Sequence, residues 1–208
     1  GLIRSINEYL DKFSDVFIAE MGAFRKGEIK ELCDLIKPEY GVLTTIGVAH
    51  LETFGSRENI QQGKFELIES LPEHGVGILN MDDPYQVSYK LKNKCKIVWI
   101  GIENKKSDVL AQNIKSSHRG TEFDVVFKGD KEKYHFETKL LGNANIYNIL
   151  AGIALGREFG LKISELQAGV RKVLPVEHRL ELKKMGDIFI IDDAYNSNPV
   201  GSKMVLEV

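Results

Sequence analysis

The sequence has few cysteines and no excess of charge of either sign. Its 208 residues include two cysteines, and 28 basic and 30 acidic residues give a formal net charge of −2. Neither Cys33 nor Cys95 has metal-ligand spacing around it, so both are interpreted as reduced packing residues. Because lysine and arginine are scattered along the chain, we expect no nucleic-acid binding.

Long apolar runs and a secretory leader are also missing. No hydrophobic stretch reaches the roughly 20 residues that a membrane-spanning helix needs. Residues 1–10 lack the charged-then-apolar order of a signal peptide. The sequence therefore predicts a cytoplasmic protein without membrane insertion. Hydrophobic residues make up 43% and charged residues 28% of the chain, a balance typical of a globular protein with an ordinary core. Gly1 is not a natural start, so the chain is interpreted as an excerpt.

The order of predicted elements indicates an α/β fold with a doubly wound, mostly parallel sheet. Short apolar runs typical of parallel strands covered on both faces occur at residues 16–19, 42–46, 76–80 and 96–100. Helical spacing predicts helices between them, over about 27–37, 57–71 and 84–92. Strands that alternate with helices favour right-handed crossovers and a parallel sheet.

The second half of the chain has a different pattern. Apolar and polar residues alternate within 108–140, which predicts a small antiparallel β subregion with a turn at Gly129 and Asp130. Helices are predicted at about 145–159 and 164–173. A hairpin over 180–192 is predicted to turn at Gly186 and Asp187.

Two candidate metal ligands follow predicted strands. Glu20 ends the first strand and His50 follows the second, and ligands of open α/β sheets bind beyond these carboxyl ends. A carboxylate and an imidazole there suit a divalent metal. For Glu20 a helix-capping or surface role is an equal alternative, and for His50 alone an ordinary structural role is favoured.

Lys64 has an unusual position in its predicted helix. It lies within the apolar arc that includes Ile60 and Ile68, so its side chain is expected to point inward. A buried ammonium group must snorkel, pair with an acid or lose its proton. A neutral amine can react with carbon dioxide to form a carbamate, which is an oxygen ligand for a metal. From the spacing alone, an ion pair or snorkelling is favoured over the carbamate.

Four further residues are candidates for nucleotide binding. Asn145 and Asn148 lie on one edge at the start of a helix, where two amides can bind a base; capping by Asn145 and solvation of Asn148 is an equal alternative. Arg179 has the planar fork that holds phosphate, although a lone arginine is more often a surface charge. Asp193 closes the hairpin beside Asp192, where carboxylates can accept ribose hydroxyls or bind a metal.

Ordered blocks along the whole chain resemble the Mur ligase family. The blocks are residues 20–23, 27–29, 45–52, 54–56, 64–67, 79–83 and 192–199. They are most similar to the branch that joins D-alanyl-D-alanine to a UDP-N-acetylmuramoyl-tripeptide. The resemblance implies that residues 1–208 are the central ATP-binding domain of the fold. It places the phosphate loop before Gly1 and a C-terminal domain after Val208, because no G-x-x-x-x-G-K-[ST] sequence occurs in the chain. Residues 1–208 alone are therefore expected to be inactive.

The same resemblance implies cofactors and roles. ATP and Mg²⁺ are the expected cofactors. Glu20, His50 and Lys64 are the implied catalytic magnesium ligands, with Lys64 carbamylated. The implied nucleotide contacts are Asn145 and Asn148 near adenine, Arg179 at the γ-phosphate and Asp193 on the ribose. The implied reaction forms an amide through an acyl phosphate in peptidoglycan precursor synthesis. The alternatives are another Mur-type, folylpolyglutamate synthetase-like or cyanophycin-type ligase, or a non-catalytic binding module of the same fold.

Overall fold

The computed structural model describes residues 2–47 and 51–195, so His50 and residues 196–199 of the last sequence block lie outside the described residues. The helices of this part of the chain are α1 (Leu2–Tyr9), α2 (Glu28–Ile36), α3 (Leu51–Phe54), α4 (Arg57–Glu69), α5 (Pro84–Val87), α6 (Asn143–Glu158) and α7 (Ile163–Lys172). The strands are β1 (Tyr40–Val42), β2 (Val76–Asn80), β3 (Lys96–Gly101), β4 (Val109–Ser117), β5 (Gly120–Phe127), β6 (Tyr134–Thr138), β7 (Glu181–Met185) and β8 (Ile188–Asp192).

The first six strands form one sheet in the order of the sequence. Strands β1 to β4 run parallel to one another, and β5 and β6 extend the sheet in antiparallel fashion. Strands β7 and β8 form a separate antiparallel hairpin. The predicted α/β class, with a mostly parallel sheet and a small antiparallel region, is confirmed.

The central strands contribute side chains to two cores, one on each face of the sheet. Val76 and Ile78 of β2 pack in the core that contains residues of α6 and α7. Leu79 packs in the other core, with residues of α2 and α4. A parallel strand that is covered on both faces needs apolar residues at successive positions. The continuous apolar run of β2 therefore follows from helices on both sides.

Helix α4 approaches the sheet closely over glycines. A Cβ atom on Gly77 would lie 2.9 Å from Cδ1 of Ile97 and 3.2 Å from Cγ2 of Ile68 in α4. On β1, a Cβ atom on Gly41 would lie 3.2 Å from Cγ of Leu67. The missing side chains thus let the helix that carries Lys64 lie directly against β1 and β2.

The apolar run at 16–19 does not form the predicted strand. Its backbone is irregular and pairs with no strand among the described residues, and Val16 and Ile18 are 55% and 84% exposed. An apolar pattern indicates a strand only where a neighbouring strand can accept and donate backbone hydrogen bonds. Among the strands of the described residues, β1 lies at the edge of the sheet and pairs only with β2. The prediction for 16–19 was therefore wrong for this part of the chain.

The next strand is shifted from its predicted position of 42–46. β1 ends at Val42, and the backbone beyond Leu43 leaves the sheet. The N–H group of Ile46 instead donates to a carboxylate oxygen of Asp83 at 2.8 Å. Because a side chain satisfies this backbone group, the strand need not continue. The predicted helices α2, α4, α6 and α7, the strands β2 and β3 and the hairpin β7–β8 are found at or near the expected residues.

The two cysteines are free and buried, as expected of packing residues. Burial raises the pKa of both the Cys33 and the Cys95 thiol, which keeps them protonated at neutral pH. No helix in residues 2–47 and 51–195 is long and apolar enough to cross a lipid bilayer.

The turn between β4 and β5 gives a test of the antiparallel region. Gly120 has φ of +120°, and a Cβ atom there would overlap the carbonyl oxygen of Thr138. We expect Gly120→Ala to lower the free energy of unfolding by about 2–4 kcal/mol, because neither backbone can yield without loss of pairing. Urea unfolding of the variant and the parent protein measures this change.

Gly152→Ala is the matched control. Gly152 lies inside α6 and has no atom within 4 Å of its Cβ position. Alanine there should raise the free energy of unfolding by about 0.5–1 kcal/mol, because a helical glycine is entropically unfavourable. Equal stability of the two variants would contradict the proposed contact at Gly120.

Candidate functional site

The carboxylate of Asp82 organises the edge of the sheet at the carboxyl end of β2. Its Oδ2 accepts hydrogen bonds from the backbone N–H groups of Ile102 (2.6 Å) and Glu103 (3.0 Å). Its Oδ1 accepts from the N–H group of Asn104 at 2.7 Å, and the hydroxyl of Tyr147 donates to Oδ2 at 2.9 Å. Burial opposes ionisation of Asp82, but these hydrogen bonds prevail and lower its pKa. The loop after β3 and the start of α6 are therefore both attached to the end of β2.

Asp83 makes a second connection from the same end of β2. Its Oδ2 accepts from the N–H group of Ile46 at 2.8 Å and from Nε2 of Gln86 at 3.1 Å. The Oε1 atom of Gln86 accepts from the N–H group of Asn80 at 2.8 Å. Asp83 and Gln86 are buried, so these polar groups depend on one another for hydrogen bonds. The network fixes the chain after β1 as far as Ile46.

Glu20 lies in the irregular segment that precedes α2. It is exposed, and its side chain forms no hydrogen bond or ion pair with any described residue. The chain just after it is held in place, because Ala23 is buried and Oε2 of Glu28 accepts from the N–H groups of Phe24 (2.7 Å) and Arg25 (3.1 Å). The carboxylate of Glu20 is thus uncommitted, next to an ordered turn.

Lys64 is half-buried on α4, at the border of the buried face. Its neighbours Gly63 and Phe65 are both buried, whereas the Lys64 side chain is partly accessible. Within residues 2–47 and 51–195 this side chain makes no hydrogen bond or ion pair. Lys64 therefore does not form, with any described residue, the ion pair that its spacing in the sequence favoured. The partial exposure of its side chain is consistent with the other favoured interpretation, snorkelling.

Glu66 attaches the helix of Lys64 to the start of α2. Its Oε1 accepts from the N–H group of Gly27 at 2.7 Å, and its Oε2 accepts from the N–H group of Lys30 at 3.0 Å. Gly27, the N-cap of α2, has no side chain that could cap the helix itself. A carboxylate from α4 thus satisfies the free N–H groups of α2 and fixes the two helices relative to each other.

Asn145 and Asn148 lie in the first two turns of α6. The helix begins at Asn143 after Gly142, so Asn145 is not the N-cap that the alternative interpretation required. The Nδ2 atom of Asn145 donates to the carbonyl of Leu141 at 2.8 Å, which leaves its Oδ1 free to accept from another donor. Asn148 is exposed and lines an apolar cleft of about 330 Å³ between α6 and α7.

The structure brings Arg179 and Asp193 together at the base of the β7–β8 hairpin. Oδ1 of Asp193 accepts from the N–H group of Leu180 at 3.1 Å, and the Arg179 guanidinium lies 4.2 Å from the ring centroid of Tyr195. His178 and Leu180 on either side of Arg179 have φ of 62° and 47°. Positive φ values at two non-glycine residues are uncommon and mark a tightly specified backbone.

A cluster of His178, Glu181 and Asp192 lies beside this pair. Their potential ligand atoms lie within 4.8 Å of one another. Lys183 already provides a positive charge there, because its ammonium lies 2.6 Å from Asp192 and 3.2 Å from Glu181. The hydrogen bonds from Lys183 and then His178 lower the pKa of Asp192 to about 2. The cluster is therefore an ion-pair network on the hairpin, which a metal would have to disrupt.

The predicted residues thus form local pairs. Asn145 and Asn148 share one edge of α6, and Arg179 and Asp193 share the hairpin base, but no hydrogen bond or ion pair joins the two pairs within the described residues. None joins Glu20 to Lys64 either. The sequence patterns assign no role to Asp82 or Tyr147, although two carboxylates directly after a buried strand are a usable signal.

Comparison with known proteins agrees with this architecture. Residues 1–156 match the family model of the Mur ligase middle domain. The UDP-N-acetylmuramoyl-tripeptide–D-alanyl-D-alanine ligase of Bacillus subtilis (strain 168) is 34% identical over 197 residues, which cover 94% of this chain and 41% of that protein. A crystal structure of MurF from Acinetobacter baumannii matches with a TM-score of 0.83 and 23% identity, over 94% of this chain and 42% of that one.

A further match is the crystal structure of the MurF ligase from Thermotoga maritima in complex with ADP. Its TM-score is 0.77 at 25% identity, and the match covers 90% of this chain and 43% of that one. The chain therefore spans about two fifths of the length of these relatives. Because the middle-domain model matches residues 1–156 of 208, this chain belongs to the Mur ligase family.

Proposed function

We propose that the full-length protein joins D-alanyl-D-alanine to a UDP-N-acetylmuramoyl-tripeptide at the expense of ATP, in peptidoglycan precursor synthesis. The observation that carries this proposal is the 34% identity to the Bacillus ligase of that name, sustained over 94% of the chain. We propose that residues 1–208 together form the central ATP-binding domain and that the enzyme acts in the cytoplasm.

The proposed reaction has two steps. A carboxylate oxygen of the tripeptide attacks the γ-phosphorus of ATP, and the bond to the bridging oxygen breaks to release ADP. The amine of D-alanyl-D-alanine then attacks the acyl carbon of the resulting acyl phosphate. A C–N bond forms, phosphate leaves with the electron pair of the broken C–O bond, and the amine loses a proton. Such phosphoryl transfer depends mainly on positioning and on stabilisation of negative charge.

The chain's own residues supply groups for nucleotide binding. Asn145 presents a free amide oxygen that can accept from the exocyclic amine of adenine, with Asn148 adjacent on the same edge. Asp193 uses Oδ1 for Leu180 and retains Oδ2 for a ribose hydroxyl. We therefore assign these three residues to the nucleoside.

Arg179 is assigned to the γ-phosphate. Its guanidinium lies over the ring of Tyr195, with Cζ 4.2 Å from the ring centroid. The N–H groups in the plane find no acceptor among the described residues, so they remain available for phosphate oxygens. The stacked ring also limits the rotamers of Arg179, which reduces the entropy lost on binding.

Glu20, His50 and Lys64 are proposed to hold Mg²⁺. The uncommitted carboxylate of Glu20 fits, because it is a hard oxygen ligand of the kind that Mg²⁺ prefers. Lys64 fits only as a carbamate, since an ammonium group would repel the ion, and it has no acid partner among the described residues that would hold its charge. When bound, the ion would offset negative charge on the triphosphate.

Phosphate release by the full-length protein tests the proposed activity. We expect release in the presence of ATP, Mg²⁺, the UDP-linked tripeptide and D-alanyl-D-alanine together, and only background release when either the tripeptide or the dipeptide is withheld. A coupled phosphate assay makes the measurement, and mass spectrometry identifies the pentapeptide product. Release that depends on a single amino acid instead of the dipeptide would assign the protein to a different ligase.

Substitution of Lys64 tests its role. We expect both Lys64→Ala and Lys64→Arg to lower kcat by about 100-fold or more, because neither side chain can form a carbamate ligand. Short carboxylates such as formate should restore part of the activity of Lys64→Ala, where space is vacated, and none of Lys64→Arg.

Lys92→Ala provides the control, since the Lys92 side chain is 77% exposed in its ion pair with Glu69. This variant should keep the parent kcat. The carbamate assignment is wrong if Lys64→Arg turns over at the parent rate.

A further inference from the structure

Tyr147 connects α6 to the sheet. The residue lies between Asn145 and Asn148 in sequence, and its hydroxyl donates to Oδ2 of Asp82 at 2.9 Å. Within the described part of the chain, the only other side-chain hydrogen bond from the first two turns of α6 is that of Asn145 to the carbonyl of Leu141, in the segment just before the helix. The bond spans 65 positions of sequence.

The acceptor of this hydrogen bond, the carboxylate of Asp82, is itself held by other hydrogen bonds. Asp82 also accepts from three successive backbone N–H groups, those of residues 102–104. The backbone of Gly101 also lies close to it: a Cβ atom added to Gly101 would be 3.2 Å from the Oδ2 atom of Asp82. A carboxylate held by three backbone donors offers one fixed point to the tyrosine hydroxyl.

Apolar side chains such as Ile146 and Leu150 pack α6 into the core, but among the described residues the start of the helix has no other polar anchor to the sheet. Gly142 is its N-cap and provides no side-chain cap, and the side chain of Asn145 bonds only to the preceding turn, at Leu141. Residues of an α-helix are separated by about 100° around its axis, so Tyr147 can face the sheet edge while the two amides face away from it. A rotation of the helix by about 20° would move an amide by about 2 Å, given a radius of about 5–6 Å to the side chains.

We propose that Tyr147 is a positioning residue for the nucleotide base: by its bond to Asp82 it fixes the rotation of α6 and therefore the place of the amides of Asn145 and Asn148. The inference rests on the proposed function, which assigns these amides to adenine. The expected ligand is a 6-aminopurine nucleotide, because the Oδ1 atom of Asn145 can accept a hydrogen bond from the 6-amino group. A 6-oxopurine would instead place a carbonyl oxygen against this acceptor, and two acceptors repel each other.

The test measures nucleotide binding directly and not only turnover. Dissociation constants for ATP and GTP are measured by calorimetry on the full-length protein, with Tyr147→Phe as the variant. Phenylalanine keeps the ring in place and leaves Asp82 with its three backbone donors, so the fold should persist. We expect the Kd for ATP to rise by about threefold to tenfold and the preference for ATP over GTP to fall by a similar factor.

Tyr134→Phe is the matched control. The Tyr134 hydroxyl makes a long contact of 3.5 Å with Asp130 at the exposed side of β6. Loss of this hydroxyl should leave both dissociation constants unchanged. A purely structural role of Tyr147 would lower the melting temperature and leave the ratio of the two constants unaltered, and that result would overturn the inference.

Failure of the proposed function would look different. If the parent protein prefers ATP, and Tyr147→Phe weakens that preference, the inference holds even when no phosphate is released with the tripeptide and the dipeptide. If phosphate is released but Tyr147→Phe binds ATP and GTP as the parent does, the inference is wrong and the function remains. An Asn145→Ala variant with unchanged ATP affinity would also overturn the inference.

Discussion

Two adjacent carboxylates at the end of β2 hold the neighbouring loops of the sheet. Asp83 accepts from the backbone after β1, and Asp82 accepts from the backbone after β3. Loops at the carboxyl end of a parallel sheet have backbone N–H groups that no strand can satisfy, and a carboxylate satisfies several at once. The position of each loop at this edge therefore depends on two residues that directly follow a single strand, and any ligand site at the edge depends on the same geometry.

On helix α4, a third carboxylate also satisfies backbone N–H groups that have no partner in their own element. Glu66 on α4 caps α2, whose own N-cap is a glycine. The turn that follows Glu20 leads into α2, and Lys64 is two positions from Glu66 on α4. The distance between the proposed metal ligands thus depends on a hydrogen-bonded cap, not on direct contact between them. Such an arrangement leaves Glu20 and Lys64 without hydrogen-bond or ion-pair partners in residues 2–47 and 51–195, while it limits where each can lie.

Elements with local causes could be predicted from the sequence. β2 has an apolar residue on both faces, and the β7–β8 hairpin turns at Gly186, where φ is +62°. The prediction of a strand at 16–19 was wrong because an apolar pattern indicates that a segment can be buried, but not that a neighbouring strand is present to pair with its backbone. β1 ended early for a related reason: a side chain distant in sequence, Asp83, took over the hydrogen bond of Ile46. Pattern fixes the type of an element, whereas its limits depend on tertiary hydrogen bonds.

The same distinction, between what a local pattern indicates and what depends on tertiary hydrogen bonds, applies to the candidate site. Residue type and spacing made Asn145, Asn148, Arg179 and Asp193 candidates, and the resemblance to the Mur ligase family implied their roles. Their supports could not be found this way. From the sequence, Tyr147 is an ordinary aromatic residue of a helix, and only the fold shows that its hydroxyl donates to Asp82. Burial and this hydrogen bond raise the pKa of the hydroxyl, so it remains a donor. The packing of α6 on β2 brings this donor and acceptor together. Candidate ligand-binding groups can therefore be proposed from the sequence, whereas the groups that would orient them are found only in the fold.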